Sequence, residues 1–350
     1  MISVLIPTAD RPDFLRDAID SVNHQSRNDL IGEVIVSNNG KIDVEEIVRS
    51  YHSLPITYVN QETKLSPGKH FEWLINQAKF PLIAMLADDD MWGRYHLEEA
   101  HRQLQAHPTA IAVFNQVVAV RNSYRQVFTG YAKLAHSLQD DLKRQLPDNL
   151  IFQPGDLMVD ALIHTPLNIW SMLARKSNVL NHFQVMTDPD AGIDSDRYFV
   201  WRLSLDGCII AGREIGLFMR AHPQMAGRLM SVQDVERFKN ISHEYSRKII
   251  SDARELGIPI EQRWCDFWES LSDINRNTIV CEAHSDCIAF ASAILKTRPT
   301  QFGGAQQQVV NGSETSRIRN RLRMIVKDCL PPVVTRGLNR ARNLLRTRQT

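Results

Sequence analysis

The stretch that decides the fold reads Pro81-Leu-Ile-Ala-Met-Leu-Ala-Asp88-Asp89-Asp90-Met-Trp92. The six residues from Leu82 to Ala87 are all apolar, too few to span a membrane and suited to a strand buried on both faces. The strand runs into three carboxylates, which repel one another unless a cation shares their site. In open α/β sheets, ligands bind at the carboxyl ends of strands. The stretch therefore predicts either a divalent-metal site at a strand end, or a solvated acidic turn or helix N-cap, where Asp is favoured.

Strand and helix patterns alternate along the chain before this stretch. Short, mainly apolar runs predict strands at residues 2–6, 33–37, 56–59 and 82–87. Apolar residues at helical spacing predict helices between them, the first starting at Asp10-Arg11-Pro12-Asp13, because Pro suits a first helical turn. Such alternation implies parallel strands with helical crossovers. We predict an α/β fold with a Rossmann-like, mostly parallel central sheet flanked by helices.

The rest of the chain predicts more strands and then helices only. Strands are predicted at residues 110–114, 116–121, 169–173, 208–211 and 215–219, and residues 122–153 carry no assignable pattern. From Val232 onward the pattern is helical. The predicted domains are a catalytic domain at 1–230, a helical extension at 231–300, a Gly-, Gln- and Ser-rich linker at 301–316 and a tail at 317–350.

The tail, residues 317–350, is strongly basic. It holds ten Lys or Arg against one acid, Asp328, a net charge of +9 by subtraction, whereas the whole chain carries +1. Apolar stripes on either side of Pro331-Pro332 predict two amphipathic segments. Such segments bind anionic membrane surfaces, which we expect of this tail. The alternatives are packing on the protein's own acidic body or a nucleic-acid patch, and no nucleic-acid partner is expected.

The sequence predicts a cytoplasmic protein that is peripheral at the inner face of the cell membrane. No apolar run approaches about 18 residues, so no transmembrane helix is predicted. The start of the chain lacks the basic and apolar regions of a signal peptide. The five cysteines are scattered, with no Cys-x-x-Cys spacing, so we expect reduced thiols.

Several linked motifs, in a fixed order, resemble those of the GT-A fold, family 2 glycosyltransferases. They are Ser3-Val-Leu-Ile-Pro-Thr8, Arg11-Pro-Asp-Phe-Leu15, Glu33-Val-Ile-Val-Ser-Asn-Asn-Gly40, Leu86-Ala-Asp-Asp-Asp-Met-Trp92, Asp194-Ser-Asp196 and Arg220-Ala-His222. The resemblance covers about residues 2–225. It implies a GT-A enzyme that transfers a sugar from a nucleotide-diphosphate sugar, a UDP-sugar, to a saccharide or lipid-linked acceptor in surface polysaccharide assembly.

The resemblance also implies which residues bind the donor. They are Pro7, Thr8, Arg11, Asn38, Lys69 and Asp88, the last facing the ribose. Asn38 stands where the family usually has an Asp that reads the base, commonly uracil. Because an Asn amide can both donate and accept, binding is expected to survive and the base identity stays open.

A divalent cation, Mn²⁺ or Mg²⁺, is implied at the acid cluster, with Asp89, Asp90 and His222 as its residues. Such a cation offsets the charge that develops on a diphosphate leaving group. Ala87 replaces an acid that the family usually has, so which of the three Asp residues ligates directly is open. On the acceptor side, Asp196 is expected to be the base of an inverting displacement, with Asp194 as its neighbour or substitute.

Each assignment has a plainer structural alternative. Asp196 and its neighbour would be helix-start acids, which the helix dipole favours. Lys69 would be a solvated charge, and His222 a structural histidine. Trp92 and Trp201 are expected to be core residues rather than platforms for a sugar.

Two hypotheses compete with a glycosyltransferase. A nucleotidyltransferase shares the fold class but needs a Gly-rich, basic phosphate loop after the first strand, and Ile6-Pro-Thr-Ala-Asp10 is not one. A degenerate GT-A module acting as a membrane-associated scaffold is favoured by Ala87 and Asn38. The intact Asp88–Asp90 run and Asp196 argue against it.

Overall fold

The computed structural model describes residues 1–121, 149–163, 167–187, 195–222, 232–270 and 285–295. These residues all fall within one compact unit, Met1–Thr297. Asp194, the linker at 301–316 and the tail at 317–350 lie outside the described residues, so the hypotheses about them stay predictions. None of the described helices has the length and apolar character needed to cross a membrane.

One nine-stranded sheet runs through the described residues. Its strands are β1 (Ile2–Thr8), β2 (Ile31–Asn38), β3 (Ile56–Asn60), β4 (Leu82–Met85), β5 (Met91–Trp92), β6 (Ala110–Arg121), β7 (Leu150–Phe152), β8 (Met172–Arg175) and β9 (Cys208–Ala221). The order is β3-β2-β1-β4-β8-β6-β9-β5, with β7 paired to β9. β1 to β4 pair in parallel, as predicted. Beyond them the sheet is mixed, because β8 is antiparallel to both its neighbours while β6 and β9 are parallel.

Helices cover both faces of this sheet and form a further layer. They are α1 (Pro12–Asn23), α2 (Glu45–Arg49), α3 (Pro67–Gln77), α4 (His96–Ala106), α5 (Met158–Ile163), α6 (Lys176–His182), α7 (Ser195–Leu203), α8 (Val232–Glu255), α9 (Ile260–Ser270) and α10 (Ser285–Ile294). Short 3-10 turns occupy Asn28–Leu30, Ile169–Ser171 and Phe183–Met186.

β1 lies at the centre of the core, and all seven of its residues are buried. Alternate residues of a strand point to opposite faces of the sheet. Val4 and Ile6 join a cluster with α1, α2 and α4, whereas Leu5 joins one with α3, α6 and α7. Burial on both faces explains why five of the seven residues are apolar, all but Ser3 and Thr8. Trp92 and Trp201 are also buried, which confirms that they are core residues.

The helices after Val232 pack on other helices. Their buried side chains form a third cluster with residues of α5 and α7. Arg197 ties these helices together, because its guanidinium donates to the carbonyls of Ala161 at 3.2 Å and Ser242 at 2.6 Å. The helical pattern predicted for this part of the chain is confirmed over α8, α9 and α10.

Two details of the predicted strands are wrong. Residues 169–171 form a 3-10 turn, because the Asn168 side chain accepts a hydrogen bond from the Trp170 N–H at 2.9 Å, and the strand begins only at Met172. The structure has one continuous strand, β6, where two strands were predicted on either side of Asn115. It likewise has one strand, β9, where two strands were predicted on either side of Gly212. β6 and β9 stay paired along their length through register shifts near Asn115, which an apolar pattern interrupted by polar residues does not reveal.

Candidate active site

The carboxyl ends of β1, β2 and β3 lie side by side at one edge of the sheet. The pairing register sets Thr8 opposite Asn38 and Asn38 opposite Asn60. β4 ends next to β1, and the Leu86 N–H still donates to the Leu5 carbonyl at 3.0 Å. The acid cluster that follows β4 therefore reaches the edge at which parallel sheets bind ligands.

Asp88 is buried and joins the acid cluster to the loop between β1 and α1. Its Oδ2 accepts hydrogen bonds from Thr8 Oγ1 at 2.7 Å and from the Ala9 N–H at 3.3 Å. Its Oδ1 lies 2.8 Å from Arg11 Nη2. Burial raises the pKa of Asp88 to about 6, although the charge of Arg11 acts to lower it. This carboxylate therefore anchors the loop that was predicted to contact the nucleotide.

Asp89 lies between two basic side chains. The Arg11 guanidinium pairs with Asp89 as well as with Asp88. On the other side, His222 Nε2 lies 3.0 Å from Asp89 Oδ2. The Arg11 side chain is 28% exposed and that of Asp89 is 17% exposed, so solvent reaches this pair. Arg11 is thus a cation that shares the site of two of the three acids.

Asp90 is directed toward β9. Its Oδ1 accepts a hydrogen bond from the backbone N–H of Arg220 at 2.8 Å. Burial, and then the negative charge of Asp89, raise the pKa of Asp90 to about 7. A cation placed nearby would favour its ionised form. Asp90 therefore connects the acid cluster to the late part of the chain.

Asp17 and Phe14 lie beside this cluster, although sequence patterns did not reveal them as site residues. Asp17 Oδ2 is 2.7 Å from Arg220 Nη2, and both side chains are buried. The Arg220 guanidinium stacks on the ring of Phe14, and the Phe14 and His222 rings make an edge-type contact. The one available signal was an acid at position 17, next to the buried apolar residues of α1.

Asn38 is at the predicted edge, but its side chain is turned into the protein. Its Oδ1 accepts from the Gly40 N–H at 3.0 Å, and its Nδ2 donates to the Ile42 carbonyl at 3.0 Å and to Asn60 Oδ1 at 3.1 Å. Only 1% of Asn38 is exposed. Asn60, opposite it in the register, is exposed, so it is the amide of this pair that solvent reaches. A contact of Asn38 with a base stays a prediction.

Asp10 links the loop after β1 to the loop after β2. The sequence patterns did not predict this role. Asp10 has a left-handed backbone, with φ 58°, which Asp tolerates better than most residues. Its Oδ1 accepts hydrogen bonds from the N–H groups of Ile42 at 2.9 Å and Lys41 at 2.6 Å, which lower the pKa of Asp10. A side chain at Gly40 would come within 2.5 Å of the Asp10 nitrogen. The close approach of the two loops therefore requires glycine there.

Lys69 and Asp196 each lie in the first turn of a helix. Lys69, in the first turn of α3, is exposed and pairs with Glu72 at 2.8 Å. Asp196, in the first turn of α7, accepts from the Arg197 N–H at 2.9 Å through Oδ1. These two bonds lie within their own helices. The roles of Lys69 and Asp196 stay predictions.

The side chains around Asp89 offer oxygen and nitrogen atoms of the types that bind divalent cations. Within the described ranges, no group of three or more His, Cys, Asp or Glu side chains is already arranged to hold a metal ion. Asp89 and His222 nevertheless supply a carboxylate oxygen and an imidazole nitrogen that lie 3.0 Å apart. Both are ligands that Mn²⁺ accepts. An ion at Asp89 would share that carboxylate with Arg11 or replace the guanidinium.

Comparison with a family model supports the motif-based prediction. Residues 3–159 match the family described as "Glycosyl transferase family 2". This span contains the residues from Pro7 to Asp90 discussed above, and it ends before Asp196 and His222.

Two relatives share parts of this sequence. "Abequosyltransferase RfbV" of Salmonella typhimurium is 29% identical over 94 residues, which cover 26% of this chain and 28% of that protein. "Uncharacterized glycosyltransferase MJ1057" of Methanocaldococcus jannaschii is 25% identical over 108 residues, which cover 30% of this chain and 37% of that protein. The chain thus spans about a third of the length of these relatives.

A solved structure is similar over most of the chain. It is the crystal structure of S. aureus TarS 1–349 in complex with UDP-GlcNAc, with a TM-score of 0.52 and 13% sequence identity. The match covers 85% of this chain and 90% of that chain. This likeness confirms the predicted GT-A fold.

Proposed function

We propose that this chain, whose residues 3–159 match the family described as glycosyl transferase family 2, transfers a sugar from a nucleotide-diphosphate sugar to a saccharide or lipid-linked acceptor. The observation that carries the proposal is the cluster of Arg11, Asp88, Asp89 and His222 at one edge of the sheet. It gathers side chains from three separate parts of the chain, and each of them suits the binding of a diphosphate or its counter-ion.

Arg11 is the proposed contact for the diphosphate. Its planar guanidinium matches phosphate oxygens in pairs, and it is the more exposed partner of its two ion pairs. Thr8 and Pro7 precede it at the end of β1, where Asp88 holds the loop in place. A UDP-sugar is the donor that we expect.

Mn²⁺ or Mg²⁺ is the proposed cofactor, held by Asp89 with Asp90 and His222. When bound, the ion supplies positive charge against the diphosphate leaving group. His222 must be neutral to serve as a ligand. Its contact with Asp89 holds the ring at the carboxylate that the ion would share.

Asp196 is the proposed base for the acceptor hydroxyl in an inverting displacement. A base of this kind must be ionised and held in place. Asp196 lies in the first turn of α7, where the helix dipole suits an acidic residue, and the bond from the Arg197 N–H restrains the side chain. Asp194 is the alternative base in this proposal.

The proposed setting is surface polysaccharide assembly at the inner face of the cell membrane. The basic tail at 317–350, with ten Lys or Arg and one acid, supports contact with anionic lipid. A protein held there would meet a lipid-linked acceptor. A catalytically inactive scaffold is the competing hypothesis, and it predicts no response to donor or metal.

The test is a screen of the full-length protein against a panel of nucleotide sugars. We expect one donor to raise the thermal midpoint and to be hydrolysed slowly, both only with Mn²⁺ or Mg²⁺. Asp89→Asn is expected to lower turnover at least 100-fold, in the range seen when a group that stabilises developing charge is removed. Asp29→Asn is the matched control, because Asp29 is an exposed acid paired with Arg27. Equal responses with and without metal, or full activity of Asp89→Asn, would contradict the proposal.

A further inference from the structure

We infer that Asp17 and Arg220 are a buried positioning pair that holds the end of β9 against the acid cluster. In this arrangement the side chain of Arg220 contacts α1, and its backbone N–H donates a hydrogen bond to Asp90. The inference rests on the proposed function, because it concerns how the same site is assembled. Neither residue is expected to touch the donor.

The pair is buried and geometrically well defined. Asp17 Oδ2 and Arg220 Nη2 are 2.7 Å apart, with the side chains 10% and 1% exposed. The guanidinium carbon lies 4.7 Å from the centroid of the Phe14 ring. Phe14 and Asp17 are three residues apart on α1 and so lie on one face of the helix. A single helix face thus offers both a carboxylate and a ring to one guanidinium.

Two contacts of the acid cluster depend on where this end of β9 lies. The Arg220 N–H donates to Asp90 Oδ1 at 2.8 Å. Two residues later, His222 Nε2 reaches Asp89 Oδ2 at 3.0 Å. Phe14 also contacts the His222 ring in a T-shaped arrangement, with centroids 4.7 Å apart. A shift of β9 away from α1 would therefore weaken the contacts of Asp90 and of Asp89 together.

The burial of Arg220 argues against a direct contact of its guanidinium with a diphosphate. Arg11 is 28% exposed at the cluster, whereas Arg220 is 1% exposed and already bound to Asp17. Buried ion pairs often add little net stability, because desolvation offsets their attraction. Such a pair can instead be kept because it selects one arrangement, and here that arrangement places a backbone N–H and an imidazole at two neighbouring acids.

The test compares single variants with a double variant in the full-length protein. Asp17→Asn is expected to weaken Mn²⁺ activation and to raise the KM for the donor by about tenfold, as for other groups that orient ligands from behind. Arg220→Met is expected to do the same. The double variant Asp17→Leu with Arg220→Met is expected to recover to within about threefold, because apolar replacement of a buried pair is often tolerated and the backbone N–H remains. Asp13→Asn, an exposed acid on the same helix, is the control.

Two outcomes would overturn the inference. If Arg220 contacts the diphosphate itself, the double variant stays as impaired as Arg220→Met. If Asp17→Asn matches the wild type in KM and in Mn²⁺ activation, the pair positions nothing.

Hydrogen exchange supplies a readout that needs neither donor nor metal. Asp17→Asn is expected to speed exchange at the Arg220 amide at least tenfold, and Asp13→Asn to leave it unchanged. Unchanged exchange in Asp17→Asn also contradicts the inference. If the wild type responds to no nucleotide sugar but the exchange result holds, then the proposed function fails and the positioning pair stands.

Discussion

Arg11 shows how one side chain can set the charge of a site. Three adjacent carboxylates suggested a metal ion, yet in the structure a guanidinium already pairs with Asp88 and Asp89. Asp90 is treated differently, because it is buried beside a backbone N–H and its pKa rises to about 7. Three identical residues thus have three environments, and only Asp89 is shared between Arg11 and His222. At the residue scale, Asp89 is the carboxylate on which the proposed chemistry depends.

Replacement of Arg11 by Met should change donor and metal binding in opposite directions. Loss of the guanidinium should weaken binding of UDP by about 2 kcal/mol, or roughly 30-fold in Kd. Mn²⁺ alone should bind more tightly, because Asp88 and Asp89 lose the cation that neutralises them. Isothermal titration calorimetry measures both. Arg27→Met, at an exposed ion pair, is the control, and weaker binding of both ligands by Arg11→Met would count against this role.

His70 should make the protein less stable in mild acid. It is buried with Nε2 2.8 Å from Ser37 Oγ, and burial lowers its pKa from 6.5 to about 4. Between these values the unfolded state binds more protons than the folded state, so the contribution of His70 to stability is present above pH 6.5 and is lost as the pH falls toward 4.

Comparison with His70→Gln isolates this effect from Asp88 and Asp90, whose raised pKa values act in the opposite sense. The urea midpoint of the wild type should fall relative to that of His70→Gln as the pH is lowered from 6.5 to 4. Parallel pH profiles for the two proteins would show that His70 does not contribute.

At the scale of elements, the position of Asp196, the proposed base, depends on how α7 is held. This helix carries Asp196 at its start, and it is fixed from behind by Asp252 of α8. The Asp252 carboxylate accepts from Tyr198 Oη at 3.0 Å and from Trp201 Nε1 at 3.1 Å, and it pairs with Arg202 at 3.2 Å. The Asp252 carboxylate thus links α8 to α7, in addition to the hydrogen bond from Arg197 to the Ser242 carbonyl.

Asp252→Ala should destabilise the protein by about 2–3 kcal/mol, because a half-buried hydroxyl, an indole N–H and a guanidinium lose their partner. Urea denaturation measures the change. Asp266→Ala, at an exposed acid on α9 bonded to Gln262, should cost less than about 0.5 kcal/mol. Similar losses in the two variants would show that Asp252 does not link α7 to α8.

At the scale of the whole molecule, the sequence predicted the parallel half of the sheet but not the mixed half. The parallel half of the sheet and the strand ends that meet at its edge followed from apolar runs and chain order. The position of β8 between β4 and β6, antiparallel to both, could not be predicted from the sequence. A short apolar strand has no residue pattern that specifies which strand it pairs with.

Removal of residues 317–350 should abolish binding to anionic vesicles. Ten basic residues, each worth about 1 kcal/mol near an anionic surface before screening, would be lost. Co-sedimentation with vesicles that contain phosphatidylserine measures the effect, and neutral phosphatidylcholine vesicles are the control. Retention of vesicle binding by the truncated protein would end the membrane hypothesis for the tail.

The sequence by itself determined the α/β class, the parallel direction of the first four strands and the motifs that end them. These depend on the spacing of apolar residues and on short runs of fixed residue types, which are local properties of a chain. Only the tertiary structure decided that Arg11 is the cation between Asp88 and Asp89, and that the side chain of Asn38 closes its own turn. It also decided that Asp17 meets Arg220, 203 residues later. The physical reason is that a buried charge pairs with an opposite charge that tertiary packing places beside it. The contact of α1 with β9 depends on residues far apart in the chain, so no local sequence pattern predicts it.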